Sequence, residues 1–240
     1  MTDLEQLKEK VYQANMGLYE SNLVIGTFGN VSGQDKKSGL VAIKPSGVDY
    51  RELKAGDIVV LDLEGAVVEG DLNPSSDTKT HLELYKAFSD IGGIVHTHST
   101  YATAWAQAKR PVPCLGTTHA DYFYGEVPVT PVINDTAIKK DYEQETGTLI
   151  IDTFKYIDYH HMKAVLVACH GPFTWGTDAA EAVSLSVTLE EISKTSLLSV
   201  TLTPSLENMK KSLLDKHYLR KHGPGAYYGQ GGEKLRSKDE

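Results

Sequence analysis

Apolar residues recur at three- and four-residue steps through Leu4, Leu7, Val11, Ala14 and Leu18, which predicts an amphipathic helix over residues 3–20. Thr2 followed by Glu5 supplies a capping box for its start. Leu23 to Val31 is apolar and punctuated by glycine. Leu40 to Lys44 reads as a short strand closed by Lys44-Pro45-Ser46-Gly47, a turn sequence. Ile58–Leu63 and Ala66–Glu69 flank Glu64-Gly65, the pattern of a hairpin. Asn73-Pro74-Ser75-Ser76-Asp77 is a loop that feeds a helix whose inner stripe is His81, Leu84, Tyr85 and Phe88. Gly92-Gly93 ends it, and Ile94 to Ser99 is expected as a strand. Thr100 to Lys109 is a short helix, residues 111–135 are loop-rich, and 137–158 are largely helical. Ala164 to Ala168 is a continuous apolar run that suits a buried strand, stopped by Gly171-Pro172. Two long helices, 178–200 and 204–221, follow. Strands and helices mix without strict alternation, and no repeat or linker interrupts them. The expectation is one α/β domain over residues 1–230, with a polar, disordered tail at 231–240.

Composition narrows the function classes. The chain has 240 residues, 24 Lys+Arg against 32 Asp+Glu and a net charge of −8, which argues against a basic nucleic-acid footprint. An anionic small substrate stays possible, because local groups can reverse the field inside a cleft. Two cysteines, Cys114 and Cys169, make no disulfide framework and fit a reducing compartment. No apolar run approaches the ~20 residues that span a bilayer. The expectation is a cytoplasmic protein without membrane or nucleic-acid partners.

The histidines supply the first chemistry. In an extended strand, His96 and His98 face the same way with Cα atoms ~6.6 Å apart, within reach of one metal ion. His170 follows the apolar run at 164–168, and Asp77 could add a carboxylate. Three imidazoles and one carboxylate suit a divalent transition ion such as zinc or manganese. Each histidine alone is as well explained by packing. His81, His160, His161 and His222 are read as core or solvent residues. Three segments combine small residues with backbone freedom: Gly29-Asn30, Ser46-Gly47 and Ser75-Ser76. With Lys44 they could cradle a phosphate, although each alone is also an ordinary turn or helix cap. Asp77 cannot be both a free cap and a metal ligand. If it binds metal, Ser75 or Ser76 takes the cap.

The order of these motifs is more specific than any one of them. Gly29-Asn30-Val31-Ser32, Lys44-Pro45-Ser46-Gly47, Pro74-Ser75-Ser76-Asp77-Thr78 and His96-Thr97-His98 come first. Thr117-Thr118-His119-Ala120-Asp121, His170-Gly171-Pro172, Asp215-Lys216-His217 and Ala226-Tyr227-Tyr228-Gly229-Gln230 follow. From about residue 3 to residue 230 the chain resembles the class II aldolase/epimerase family. The resemblance implies a three-layer α/β/α fold around a mainly antiparallel sheet, and a homotetramer with sites at subunit interfaces. It implies one divalent metal ion per subunit, zinc foremost, on His96, His98 and His170 with Asp77. It puts phosphate at Gly29, Asn30, Ser46, Gly47, Ser75 and Ser76, with Lys44 near the substrate. It gives proton transfer to Asp121 and Tyr228 across the subunit boundary, and substrate orientation to His217.

Aldolases of this family carry Glu where Asp77 stands, so the resemblance points to the epimerase branch. The reaction it implies is epimerisation at C4 of L-ribulose 5-phosphate to D-xylulose 5-phosphate, by cleavage and re-formation of C3–C4. For that, Asp121 would need its pKa raised by burial to act as an acid, and Tyr228 would need a nearby cation to act as a base. An aldolase releasing both fragments is the alternative within the family. A zinc hydrolase lacks an H-E-x-x-H motif here, and a structural zinc would favour cysteine ligands.

Overall fold

The computed structural model describes residues 2–228. The tail expected at 231–240 lies outside the described residues. The elements run α1 (Asp3–Glu20), β1 (Asn30–Gln34), β2 (Val41–Ile43), β3 (Val59–Leu61), β4 (Val67–Glu69), α2 (Thr78–Ala87), β5 (Gly93–His96) and α3 (Thr100–Gln107). They continue through α4 (Thr117–Ala120), α5 (Asp135–Thr153), β6 (Ala164–Leu166), β7 (Pro172–Gly176), α6 (Ala179–Leu202) and α7 (Lys211–His222). The capping box of α1 is formed in full: Glu5 N donates to Thr2 Oγ1, and Thr2 N donates to Glu5 Oε2.

Among the described residues seven strands form one sheet, in the order β4-β3-β2-β1-β5-β7-β6, with every pair antiparallel. Alternation along the central strands sorts the helices into two layers. Val31 and Val95 pair across β1 and β5 and pack against Ala14 and Leu18 of α1 and Ala179, Ala182 and Val183 of α6. On the opposite face, Ile94, Phe173 and Trp175 join Leu82, Leu84 and Tyr85 of α2, Ile150 of α5 and Phe154 beyond it. The α/β/α architecture expected from the sequence is the one observed. No helix among the described residues is long and apolar enough to cross a membrane.

Two strand readings change. The strand expected over 94–99 ends at His96, so His98 lies just beyond it. The Gly171-Pro172 break does not end the sheet: Pro172 opens β7, which the sequence reading missed. A proline is tolerated as the first residue of a strand, where its absent N–H costs no ladder bond. Its carbonyl accepts from Thr97 N at 3.3 Å.

Candidate metal centre

The sheet register places the first ligand candidate. His96 sits opposite Asn30 on β1 and opposite Phe173 on β7, whose ring stacks on it with centroids 4.2 Å apart. His98 follows two residues later, and its Nε2 lies 3.1 Å from His96 Nε2. His170 comes from the turn between β6 and β7. That turn is closed by Val167 N donating to Gly171 O and carries Cys169 at φ +64. A side chain at Gly171 would put its Cβ 2.5 Å from the Thr97 carbonyl oxygen, so only glycine lets the turn press His170 against His96. The ring centroids of His96 and His170 are 4.6 Å apart, and those of His98 and His170 are 5.0 Å apart.

One ligand atom from each of the three imidazoles lies within 4.8 Å of the others, the one such group of three or more among the described residues. His96 Nδ1 donates to the Pro172 carbonyl at 3.0 Å, which leaves its Nε2 lone pair for the group. Burial, reinforced by the neighbouring His96, holds His98 and His170 below the ordinary imidazole value. They are therefore neutral, the form that binds metal. The donor set fits a divalent transition ion.

Asp77 stands beside this group and outside it. It occupies the N-cap position of α2 without capping: its Oδ2 accepts from Asn30 Nδ2 at 2.7 Å. Ser75 Oγ takes the local role, accepting from Asp77 N at 3.3 Å and from Asn30 Nδ2 at 3.1 Å. Burial raises the Asp77 carboxyl, and His96, His81 and the Asn30 bond more than reverse that, so it lies below the usual carboxylate range. An ionised carboxylate thus stands beside the three imidazoles. Asn30 Oδ1 is buried with no partner, and so is His81 Nε2.

The anion-binding candidates gather on two zipped loops. Pro45 bridges Pro74, Ser46 N donates to Asn73 O, and Ser75 N donates to Lys44 O. Those two N–H groups are therefore engaged by protein. The exposed hydroxyls of Ser46 and Ser76 lie on the outside of these loops, with Gly47 at φ +71 beside them. Gly29 takes φ +83, where a Cβ would lie 2.8 Å from Val24 and 3.1 Å from the His96 carbonyl. Lys44 is 1% exposed, and its Nζ donates to Val48 O at 2.6 Å and lies 4.7 Å from the Tyr50 ring centroid. Burial lowers it to about 8, against the pull of Asp49.

Asp121, His217 and Tyr228 form a second group around α4 and α7. Arg220 grips Asp121 with Nε at 3.1 Å and Nη2 at 2.7 Å, and His217 Nδ1 lies 3.1 Å from the same carboxylate. The Tyr228 ring rests on Arg220 and Lys221, 4.7 and 4.5 Å from its centroid. Two side-chain cations thus face the Tyr228 ring. The shift expected for Asp121 is overturned: burial raises its carboxyl, but the Arg220 and His217 hydrogen bonds and the Lys221 charge outweigh that and lower it. No hydrogen bond, ion pair or ring contact joins this group to the three histidines among the described residues. Sequence reasoning missed Arg220 and Lys221, which look like an ordinary basic helix end. It also missed Tyr142, whose Oη lies 3.3 Å from His170 Nδ1.

The comparison with known families decides what this arrangement belongs to. Residues 9–197 match the Class II Aldolase and Adducin N-terminal domain. The chain is a member of that family. Among solved structures, an L-fuculose 1-phosphate aldolase is 27% identical, covers 92% of this chain and 98% of its own, and superposes with a TM-score of 0.80. YgbL from Klebsiella pneumoniae, described as a putative aldolase/epimerase/decarboxylase, is 26% identical over 90% of this chain and 99% of its own, with a TM-score of 0.68. The L-fuculose-1-phosphate aldolase of Thermus thermophilus is 26% identical over 84% of this chain and 98% of its own, with a TM-score of 0.66. The class II aldolase fold thus accounts for nearly the whole length of these structures.

Proposed function

We propose that this class II aldolase family member is a metal-dependent L-ribulose-5-phosphate 4-epimerase. The observation that carries the reading is the convergence of His96, His98 and His170 beside an ionised Asp77. These four residues would hold one divalent cation, zinc or manganese. Such a cation supplies Lewis-acid stabilisation of negative charge developing on oxygen. The C4–H of a ketose phosphate is not acidic, so inversion at C4 proceeds by breaking C3–C4. The products are the enediolate of dihydroxyacetone and glycolaldehyde phosphate. The aldehyde turns over and is attacked on its other face, which re-forms the bond with inverted configuration.

The residues of the chain divide the remaining work. Ser46, Gly47, Ser75 and Ser76, with Gly29 and Asn30, hold the phosphate so that the aldehyde turns without leaving. Lys44 adds positive charge behind them. Proton exchange with the C4 hydroxyl needs one group on each face. Asp121, held ionised by Arg220, accepts the proton, and Tyr228 on the other face donates one. Among the described residues the Asp121 and Tyr228 group makes no contact with the three histidines, which supports a site completed by a neighbouring subunit. A homotetramer satisfies this requirement, and His217 orients the assembly through Asp121.

The solved relatives bear the name of aldolases, which favours one alternative: cleavage with release of both fragments. Asp77 stands against it, because the sequence resemblance implies a longer Glu at this position in the family's aldolases. Incubation of the purified protein with L-ribulose 5-phosphate separates the two. Formation of D-xylulose 5-phosphate that is lost on metal removal and restored by zinc or manganese supports the epimerase. Accumulation of free glycolaldehyde phosphate and dihydroxyacetone assigns it to the aldolases. No turnover with any metal overturns both.

A further inference from the structure

We propose that Tyr142 is a positioning residue of the metal centre: its phenol oxygen holds the Nδ1–H of His170, and a break in α5 exists to deliver it there. The inference rests on the metal-dependent reading above.

A neutral imidazole carries one N–H and one lone pair. Tyr142 Oη lies 3.3 Å from His170 Nδ1, and the two rings are 6.0 Å apart. With Nδ1–H engaged by the phenol oxygen, the lone pair is fixed on Nε2. His96 is treated in the same way by the Pro172 carbonyl, so two of the three ligand candidates have their second nitrogen held. Metal-binding histidines depend on such partners for tautomer and ring angle. A phenol is protonated at neutral pH, so it accepts from Nδ1–H through an oxygen lone pair.

The backbone around Tyr142 is unusual in a way this role explains. Helix α5 is interrupted at Asp141, which has φ −167 and ψ 90. Helix kinks have identifiable causes, and no proline stands here. Instead Asp141 restarts the helix: its Oδ1 accepts from Gln144 N at 3.3 Å, and its Oδ2 accepts from Lys79 Nζ at 2.5 Å. Thr80 Oγ1 donates to the Glu143 carbonyl at 2.6 Å, and Gly147 approaches Glu83 so closely that a Cβ would lie 2.7 Å from its Cβ. Three residues of α2 therefore clamp α5 on both sides of Tyr142. The same helix starts immediately after Asp77. The break resets the helical phase so that Tyr142 meets His170, and α2 ties that phase to the carboxylate side of the centre.

The test compares full-length wild type with Tyr142→Phe, both stripped of metal, titrated with Zn²⁺ against a chromophoric chelator. The expected result is binding weaker by about 10–100-fold in Tyr142→Phe, the size of loss typical for such partners, with an unchanged melting temperature of the metal-free protein. The ¹⁵N shifts of His170 in metal-free protein should report the Nδ1–H tautomer in wild type and a mixture in the variant, which a merely structural phenol would not alter. Equal zinc affinity, or an unchanged His170 tautomer, overturns the proposal. Should Tyr142→Phe fail to fold, Lys79→Met loosens the Asp141 anchor from the surface and is read by the same two measurements. A wild type that binds no zinc, or a His170→Asn variant that binds it as well as wild type, overturns the metal reading itself.

Discussion

Asn30 lies directly opposite His96 in the β1–β5 ladder, and its amide reaches sideways to Asp77 at 2.7 Å. One residue thus fixes the carboxylate relative to the first imidazole through the sheet register. Asn30→Ala should release Asp77 and weaken metal binding by about 10–100-fold. It should also lower stability by about 1–3 kcal/mol, because buried polar partners lose their bonds. Zinc titration alongside chemical unfolding checks both, and unchanged zinc affinity would show that Asp77 is held by other means.

Gly171 is tested by the smallest possible addition. Gly171→Ala places a methyl against the Thr97 carbonyl, where backbone must move. The expected cost is about 1–3 kcal/mol, as for other overpacked sites, with loss of zinc affinity because His170 shifts with the turn. A variant that keeps wild-type melting and zinc affinity would contradict the close approach.

Two buried histidines and one exposed histidine have opposite dependence on pH. His81 is fully buried, donor or acceptor to Ser32 Oγ at 2.7 Å, and burial lowers it to about 3; burial likewise lowers His119 to about 4. Such groups stabilise the fold above the ordinary value of about 6.5, and that stability is lost as pH falls from there toward their folded values. Each should contribute up to about 1.4 kcal/mol per pH unit across that window. His160 behaves in the reverse sense. Hydrogen bonding to Asp158, then the Asp90 charge, raises it, so its contribution is present below about 6.5 and lost as pH rises through its higher folded value. Unfolding curves between pH 4 and 9 should show a broad maximum (on the order of pH 6–7). His160→Gln should flatten only the alkaline limb, and a loss on the acid limb instead would reverse the assignment.

Asp121 carries the docking of α7 through Arg220 and His217. Asp121→Asn should speed amide hydrogen exchange in residues 211–222 while leaving β1, β5 and β7 protected. Because the folded carboxyl is held below its ordinary value, the wild-type contact persists at neutral pH and is lost on acidification through that lowered value. Unchanged exchange in α7 would show that the Tyr124–Asp215 contact and the packing of Tyr218 on Tyr124 suffice.

Much of this molecule is legible in the chain, and the failures have local causes. Helices with a clean apolar stripe, such as α1, and the hairpin around Glu64-Gly65 follow from periodicity and turn chemistry. The convergence of His96, His98 and His170 was readable as candidates, because strand spacing and an apolar run bring them to sheet ends. β7 was missed because Pro172 looks like a stop, whereas only its ladder position shows that no N–H is needed there. The interruption at Asp141 left no sequence signal, and the Lys79 that pairs with it comes from α2, distant in the sequence. The ionised state of Asp121 was misjudged because burial is easy to infer, while Arg220, distant in sequence, decides the sign.

The three strands that carry the site, β1, β5 and β7, are interior to the sheet, while β4 forms an outer edge with Val67 and Val68 exposed. Partial denaturation should therefore peel the molecule from the β3–β4 side first. The histidines would outlast that fraying, so a molecule with one margin already open could still keep its reactive groups in register.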